Sequence, residues 1–415
     1  MAPSNMNTAK MTGPLSKLPI ELLERVIKTL CPHCTGDKGH PHWVSAGQGH
    51  TKRMNPRLGR ASRALATISA LSRGMKDMVL PHVYHQPATE NWGLLARTLM
   101  DRTELAEHVK ALVMRADYTA RNDTRGSYHG VDVPASVVRK FADLLLASNP
   151  EHYDAHPLDL DSDEAVRAEI LGVGRHVALS LLPHLSPNLE AIDAAVTCEH
   201  AFSMLPDDSL GSLRSLTVHL QPAPGSDSPP RFPEHILRAA SDELATLTVY
   251  EDPGRDHNPF DHLDLEKPFD NITTLVIHDG NYRENYGGSP GLPVWFPCLQ
   301  TLRYTGCSLG NTSGAEPPEQ IVPFHWAAGV WLRWLVHNFK YLRTIVLDIS
   351  GQTVNVPNET EMWFLRRLVI DMARLGVEIT LVESARLAPG PFSGPFRARQ
   401  DLEVVRLMMT DKRGE

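Results

Sequence analysis

One phrase recurs along most of this chain and limits what the chain can fold into. An apolar residue is followed by two others and then by a short alternating apolar segment. It reads LRSLTVHL from Leu213, LATLTVYED from Leu244, ITTLVIHDG from Ile272, LQTLRYTGC from Leu299 and LRTIVLDIS from Leu342. Weaker copies begin at Val109 (VKALVMRA), Leu189 (LEAIDAAV) and Val377 (VEITLVES). Alternation over five or six residues rich in Val, Ile, Thr and Tyr predicts strands. The strong copies start 31, 28, 27 and 43 residues apart.

Helical stretches lie between the phrases, at 134–147, 162–182, 233–240, 327–338 and 361–375. A strand–helix unit of this size cannot bury its apolar side alone, so neighbouring units stack and share a core. A helix or loop that returns the chain each time makes the strands parallel. The expected fold class is therefore mixed α/β: a small helical unit followed by an irregular leucine-rich-repeat solenoid. A doubly wound α/β domain also alternates strand and helix. The recurring phrase, and the lack of a glycine-rich phosphate loop after the first strand, favour the solenoid. Insertions at 221–232, 280–297 and 310–323 make the array uneven.

The 32 prolines against 28 glycines oppose long uninterrupted helices. Five cysteines in 415 residues do not form a disulfide framework. The first 14 residues lack the apolar run of a signal peptide, and no segment has the length and apolarity of a membrane span. The expected compartment is reducing, cytoplasmic or nuclear. The net charge of −8 hides an asymmetry. Residues 1–85 carry 12 Lys/Arg against 4 Asp/Glu, and the remainder carries 29 against 45. Nucleic acid is disfavoured as a partner of the basic head, because its few aromatics are not interleaved with the charges.

The organisation follows from these patterns. Residues 1–14 read as a disordered tail. Residues 15–85 read as a helical unit with a loop insertion at about 31–60. Residues 86–388 read as the repeat domain, and 389–415 as a C-terminal cap or tail. In the head, Leu22, Leu23, Val26, Ile27 and Leu30 form an amphipathic stripe, with Ser16 as a cap and Pro19 in the first turn. A second helix is expected over 64–79, ended by Pro81, and a third over 92–99.

The run Leu18-Pro19-Ile20-Glu21-Leu22-Leu23, with Ile27 and Leu30, resembles the start of an F-box. Ala64-Leu65, Ile68 to Arg73, Lys76-Asp77 and Val79 to Tyr84 resemble its end, and the segment from Trp92 to Met114 is similar to fungal F-box proteins with leucine-rich-like repeats. The 31–60 insertion departs from the family's short first connection. The resemblance implies a non-enzymatic substrate receptor of a Skp–cullin–F-box type E3 ubiquitin ligase. Its partners would be an acidic Skp-family adaptor, through it a cullin, and a substrate protein. The implied adaptor-binding residues are Leu15, Leu18, Pro19, Leu22, Leu23, Ile27, Leu71, Val79 and Pro81. Outward strand positions implied to face substrate are Thr217, His219, Thr248, Tyr250, His278, Arg303 and Thr305. The competing classes are a repeat scaffold without a ligase and an α/β enzyme.

No cofactor is needed on that reading, but the insertion offers ligand types for structural zinc. Cys31 and Cys34 form a Cys-x₂-Cys pair, followed by His40 and His42. The His-x-His spacing is tighter than in a standard finger, so a His-rich loop is the competing reading. Catalytic motifs do not survive their context. The single Gly-x-Ser-x-Gly match, Gly287 to Gly291, lies among prolines that oppose the helix a nucleophile elbow requires.

Overall fold

The protein is described by a computed structural model that places residues 18–35, 43–45, 52–54, 56–89, 92–115, 140, 180–196, 202, 205, 208–220, 232–240, 243–250, 260, 268–278, 292–305, 336–348, 367 and 370–382. Among these residues no helix is long and apolar enough to cross a membrane.

The head begins with α1 (Ile20–Leu30). Pro19 is its N-cap, with its carbonyl accepting from the N–H groups of Leu22 and Leu23. The short helix α2 (Pro32–Thr35) follows at once. Strands β1 (Trp43–Ser45) and β2 (Lys52–Met54) then pair antiparallel. The insertion read as loop therefore contains a small hairpin.

The expected second helix is two helices, α3 (Pro56–Ser69) and α4 (Arg73–His85). The break falls at Ser72, whose hydroxyl accepts from the Met75 N–H at 3.1 Å and caps α4. Pro81 does not end the helix but lies within it. One face of α1 packs on these two helices, burying Leu23, Ile27 and Cys31 with Leu65, Met75 and Val79. Helices α5 (Trp92–Asp101) and α6 (Thr103–Ala106) follow.

The eight phrases become eight strands: β3 (Ala111–Arg115), β4 (Ala191–Val196), β5 (Ser215–Leu220), β6 (Thr246–Tyr250), β7 (Thr274–His278), β8 (Thr301–Thr305), β9 (Thr344–Asp348) and β10 (Glu378–Val382). They form a parallel eight-stranded sheet in the order β3 to β10. The order follows the chain, so the described strands contain no reversal of the kind that marks the ligand crevice of a doubly wound sheet. Among the described residues, α7 (Glu234–Ala239), α8 (Leu292–Trp295) and helical residues at 180–184, 336–338 and 370–374 lie between strands.

The chain divides into two compact units. The first comprises Met1–Leu216, Ala223–Gly225 and Pro233–Glu243. The second comprises Thr217–Pro222, Ser226–Phe232 and Leu244–Glu415.

The same local device opens the phrases in both units. The N–H of the leading apolar residue closes a three-residue turn, as in Val109 to Ala106, Leu213 to Leu210, Leu299 to Phe296 and Leu342 to Phe339. The leading side chains Val109, Leu189, Leu213, Leu244, Ile272 and Leu299 are all buried. In the second unit the register aligns Leu247, Leu275, Leu302, Ile345 and Ile379 into one apolar row. Phe232, Phe260 and Phe296 are fully buried, with successive ring centroids 5.5 and 6.0 Å apart. Gly376 takes a positive φ of 79° at the turn into β10, a conformation that disfavours a side chain. In the first unit, β4 is buried on both faces, unlike the alternating β6.

Candidate metal centre

Four potential ligands converge where α1 ends and α4 ends. Cys31 is the C-cap of α1, its N–H bonded to the Ile27 carbonyl at 3.0 Å. Its backbone is extended there, so the chain turns sharply into α2. The Thr35 N–H bonds back to the Cys31 carbonyl at 3.1 Å, and this single turn brings Cys34 beside Cys31. Because α4 continues through Pro81, His82 and His85 fall at i and i+3 on one helix face.

The donor atoms are close. The Cys34 Sγ lies 3.4 Å from the Nδ1 of His82 and 3.4 Å from the Nδ1 of His85. The Cys31 Sγ lies 3.7 Å from the Nδ1 of His85 and 3.7 Å from the His82 carbonyl. All four ligand atoms sit within 4.8 Å of one another, a group able to hold a metal ion. Cys31 is buried, Cys34 exposed, and both histidines half-buried. The rings of His82 and His85 meet edge-on at 4.7 Å, and His33 packs against His85 at 5.3 Å.

Burial governs the protonation of this cluster. It pushes the Cys31 thiol up to about 12 and lowers His85 to about 4, with the neighbouring His82 and His33 adding to the latter. Burial, then Lys28, also lowers His82. Both imidazoles are thus free bases near neutral pH, the form in which they bind metals.

Sequence reasoning found both cysteines and paired them with His40 and His42. His40 and His42 lie outside the described residues, and the groups that meet Cys31 and Cys34 are His82 and His85. These two were missed because Pro81 was read as a helix stop. The signal that would have found them is the His-x₂-His spacing itself, on the assumption that the helix runs on.

The head places the residues expected from the sequence to bind an adaptor in two groups. Leu18, Pro19, Leu22 and Leu71 are exposed, and Pro81 is half-buried. Leu23, Ile27 and Val79 are correctly read as apolar but misassigned as a surface: they belong to the internal core and cannot touch a partner without unfolding the head. Ile20 and Val26, 48% exposed each, extend the apolar surface of α1. Leu15 lies outside the described residues.

Of the outward strand positions, Thr217, Thr248, Tyr250 and Arg303 are half-exposed. The register sets Thr248 beside Val276 and Val276 beside Arg303. His219 is a correction: it is only 5% exposed, stacked flat on Tyr250 at 4.2 Å, so the aromatic ring covers it. His278 and Thr305 are in strands, but their side chains, like the 287–291 motif, lie outside the described residues. No protein-family model matches this sequence, and no curated protein matches it.

Proposed function

We propose that this chain is the substrate-recognition subunit of a Skp–cullin–F-box type E3 ubiquitin ligase. On this reading the helical head docks the Skp-family adaptor, and the strand array, a leucine-rich-like solenoid, presents one face to a substrate protein. The chain itself performs no chemistry. It raises the effective concentration of substrate near a ubiquitin-charged enzyme.

The observation that carries the reading is the division of α1. Its inner face already completes a closed core with α3 and α4. Leu22 and Val26, one turn apart, are nevertheless 44% and 48% exposed, and Leu18 just before the helix is 39% exposed. Apolar side chains left on one helix face beside a satisfied core suit a partner's groove. The basic balance of residues 1–85 favours an acidic partner through steering more than through affinity. The substrate side rests on the half-exposed row of Thr248, Val276 and Arg303.

The test is co-purification of the full chain with a Skp-family adaptor, with Leu22→Asp and Val26→Asp alongside. Both positions are exposed, so the variants keep the fold. Binding by the parent chain that disappears in both variants is the expected result. A folded parent chain that fails to bind the adaptor overturns the reading.

A further inference from the structure

We propose that Cys31, Cys34, His82 and His85 bind one Zn²⁺ as a closed structural site, with both imidazoles coordinating through Nδ1. The inference stands independently of the ligase reading.

Geometry is the first argument. Zinc holds thiolate sulfur at about 2.3 Å and imidazole nitrogen at about 2.0–2.1 Å in tetrahedral sites, so the S···N edge of such a site is about 3.5 Å. The observed Sγ···Nδ1 distances are 3.4, 3.4 and 3.7 Å. These three edges match those of a zinc-centred tetrahedron, and all four ligand atoms lie within 4.8 Å of one another.

Hydrogen bonding does not account for the cluster. A thiol carries one hydrogen, yet the Cys34 sulfur faces two Nδ1 atoms at equal distance. Sulfur is a weak acceptor, so the second imidazole gains little from it. A divalent cation satisfies all four groups together. Two thiolates and two neutral imidazoles around one point select zinc over the hard cations, which prefer oxygen. Binding releases the two thiol protons to solvent and leaves a neutral site.

Four protein ligands leave no open position, so the ion's role is structural. What it fastens is visible in the surroundings. The carbonyl of His85 accepts the Lys110 N–H at 3.0 Å, directly before β3. His33, between the two cysteines, reaches Glu190 at 3.7 Å, and Lys110 meets the same carboxylate at 2.8 Å. The ion would therefore lock the corner of α1 and α2 and the end of α4 at the start of the strands β3 and β4. It would also close the chain between Cys34 and His82, which contains the β1–β2 hairpin and α3.

The test is metal analysis of the full chain purified from zinc-supplemented cells under reducing conditions. About one equivalent of zinc is expected, consistent with the high affinity of structural sites. Titration of the reduced, metal-stripped chain with Co²⁺ should give the thiolate charge-transfer and visible bands of a tetrahedral sulfur–nitrogen site. Cys34→Ser and His82→Ala, neither of which alters a fully buried side chain, should each lose the zinc and the tetrahedral cobalt spectrum. His33→Ala should retain both. A folded, reduced chain that takes up neither ion overturns the proposal, as does full zinc retention in the Cys34→Ser/His82→Ala double variant.

Discussion

The backbone N–H of Lys110 donates to the carbonyl of His85 at 3.0 Å. The Lys110 carbonyl in turn accepts from Glu190 at 2.8 Å and Ala191 at 3.0 Å. A single residue thus joins the end of the head's last long helix to the first two strands. Native-state hydrogen exchange should show the Lys110 amide protected like the α4 interior. With zinc bound as proposed, chelation should accelerate exchange at Lys110 while the Arg214 amide, bonded to the Glu190 carbonyl at 2.9 Å, keeps its protection. An unchanged Lys110 amide would separate metal binding from the head-to-strand junction.

The two faces of α1 should respond oppositely to truncation. Ile27 is 1% exposed in the head's core, so Ile27→Ala should destabilise by about 2–5 kcal/mol through lost burial and a residual cavity. Leu22→Ala should change stability by no more than about 0.5 kcal/mol. Urea unfolding of the two variants measures the difference directly. Comparable losses would mean that Leu22 is packed rather than exposed.

Ser72 separates α3 from α4 by capping the latter. Its hydroxyl satisfies an N–H that the first turn of α4 leaves unpaired. Ser72→Ala should cost about 1 kcal/mol, and Ser72→Asp should largely restore it. The reading is a shift in urea midpoint at constant slope.

Glu190 provides a pH signature. The hydrogen bond from Lys110 holds its carboxyl below the ordinary value against the opposing effect of burial, with the charges of Lys110, His33 and Arg214 assisting to a lesser degree. A carboxyl depressed in the folded state contributes stability above its unfolded pKa, and that contribution disappears as pH falls through the folded value. The pair is partly exposed, so solvent screening limits the effect to about 1 kcal/mol or less. Lys110→Met should return the Glu190 titration toward the ordinary carboxylate range, read by carbon-13 NMR of the side chain.

In the second unit the phenylalanine row should be the most sensitive feature. Phe260 lies between Phe232 and Phe296 and is fully buried. Phe260→Ala should cost about 3–5 kcal/mol, and Phe260→Leu clearly less, since leucine fills part of the same space. Equal losses from the two variants would show that the ring contacts, and not the volume, set the stability.

Local pattern alone determined the strands. All eight recurring phrases, including the weak copies at Val109, Leu189 and Val377, form strands. Period-2 alternation and an inward leading residue are properties of a few consecutive side chains, so they are legible without the rest of the chain. The amphipathic α1 and the liganding character of Cys31 and Cys34 were legible for the same reason. Tertiary structure decided what each segment meets. Leu22 and Leu23 are adjacent and chemically identical, yet only the placement of α3 and α4 makes one a surface and the other a core. Pro81 is a helix breaker by local propensity, but it is retained in an α4 that buries Met75 and Val79 against α1. That continuation swings His82 and His85 toward two cysteines far away in sequence, a meeting set by helix packing and not by the spacing of neighbouring residues.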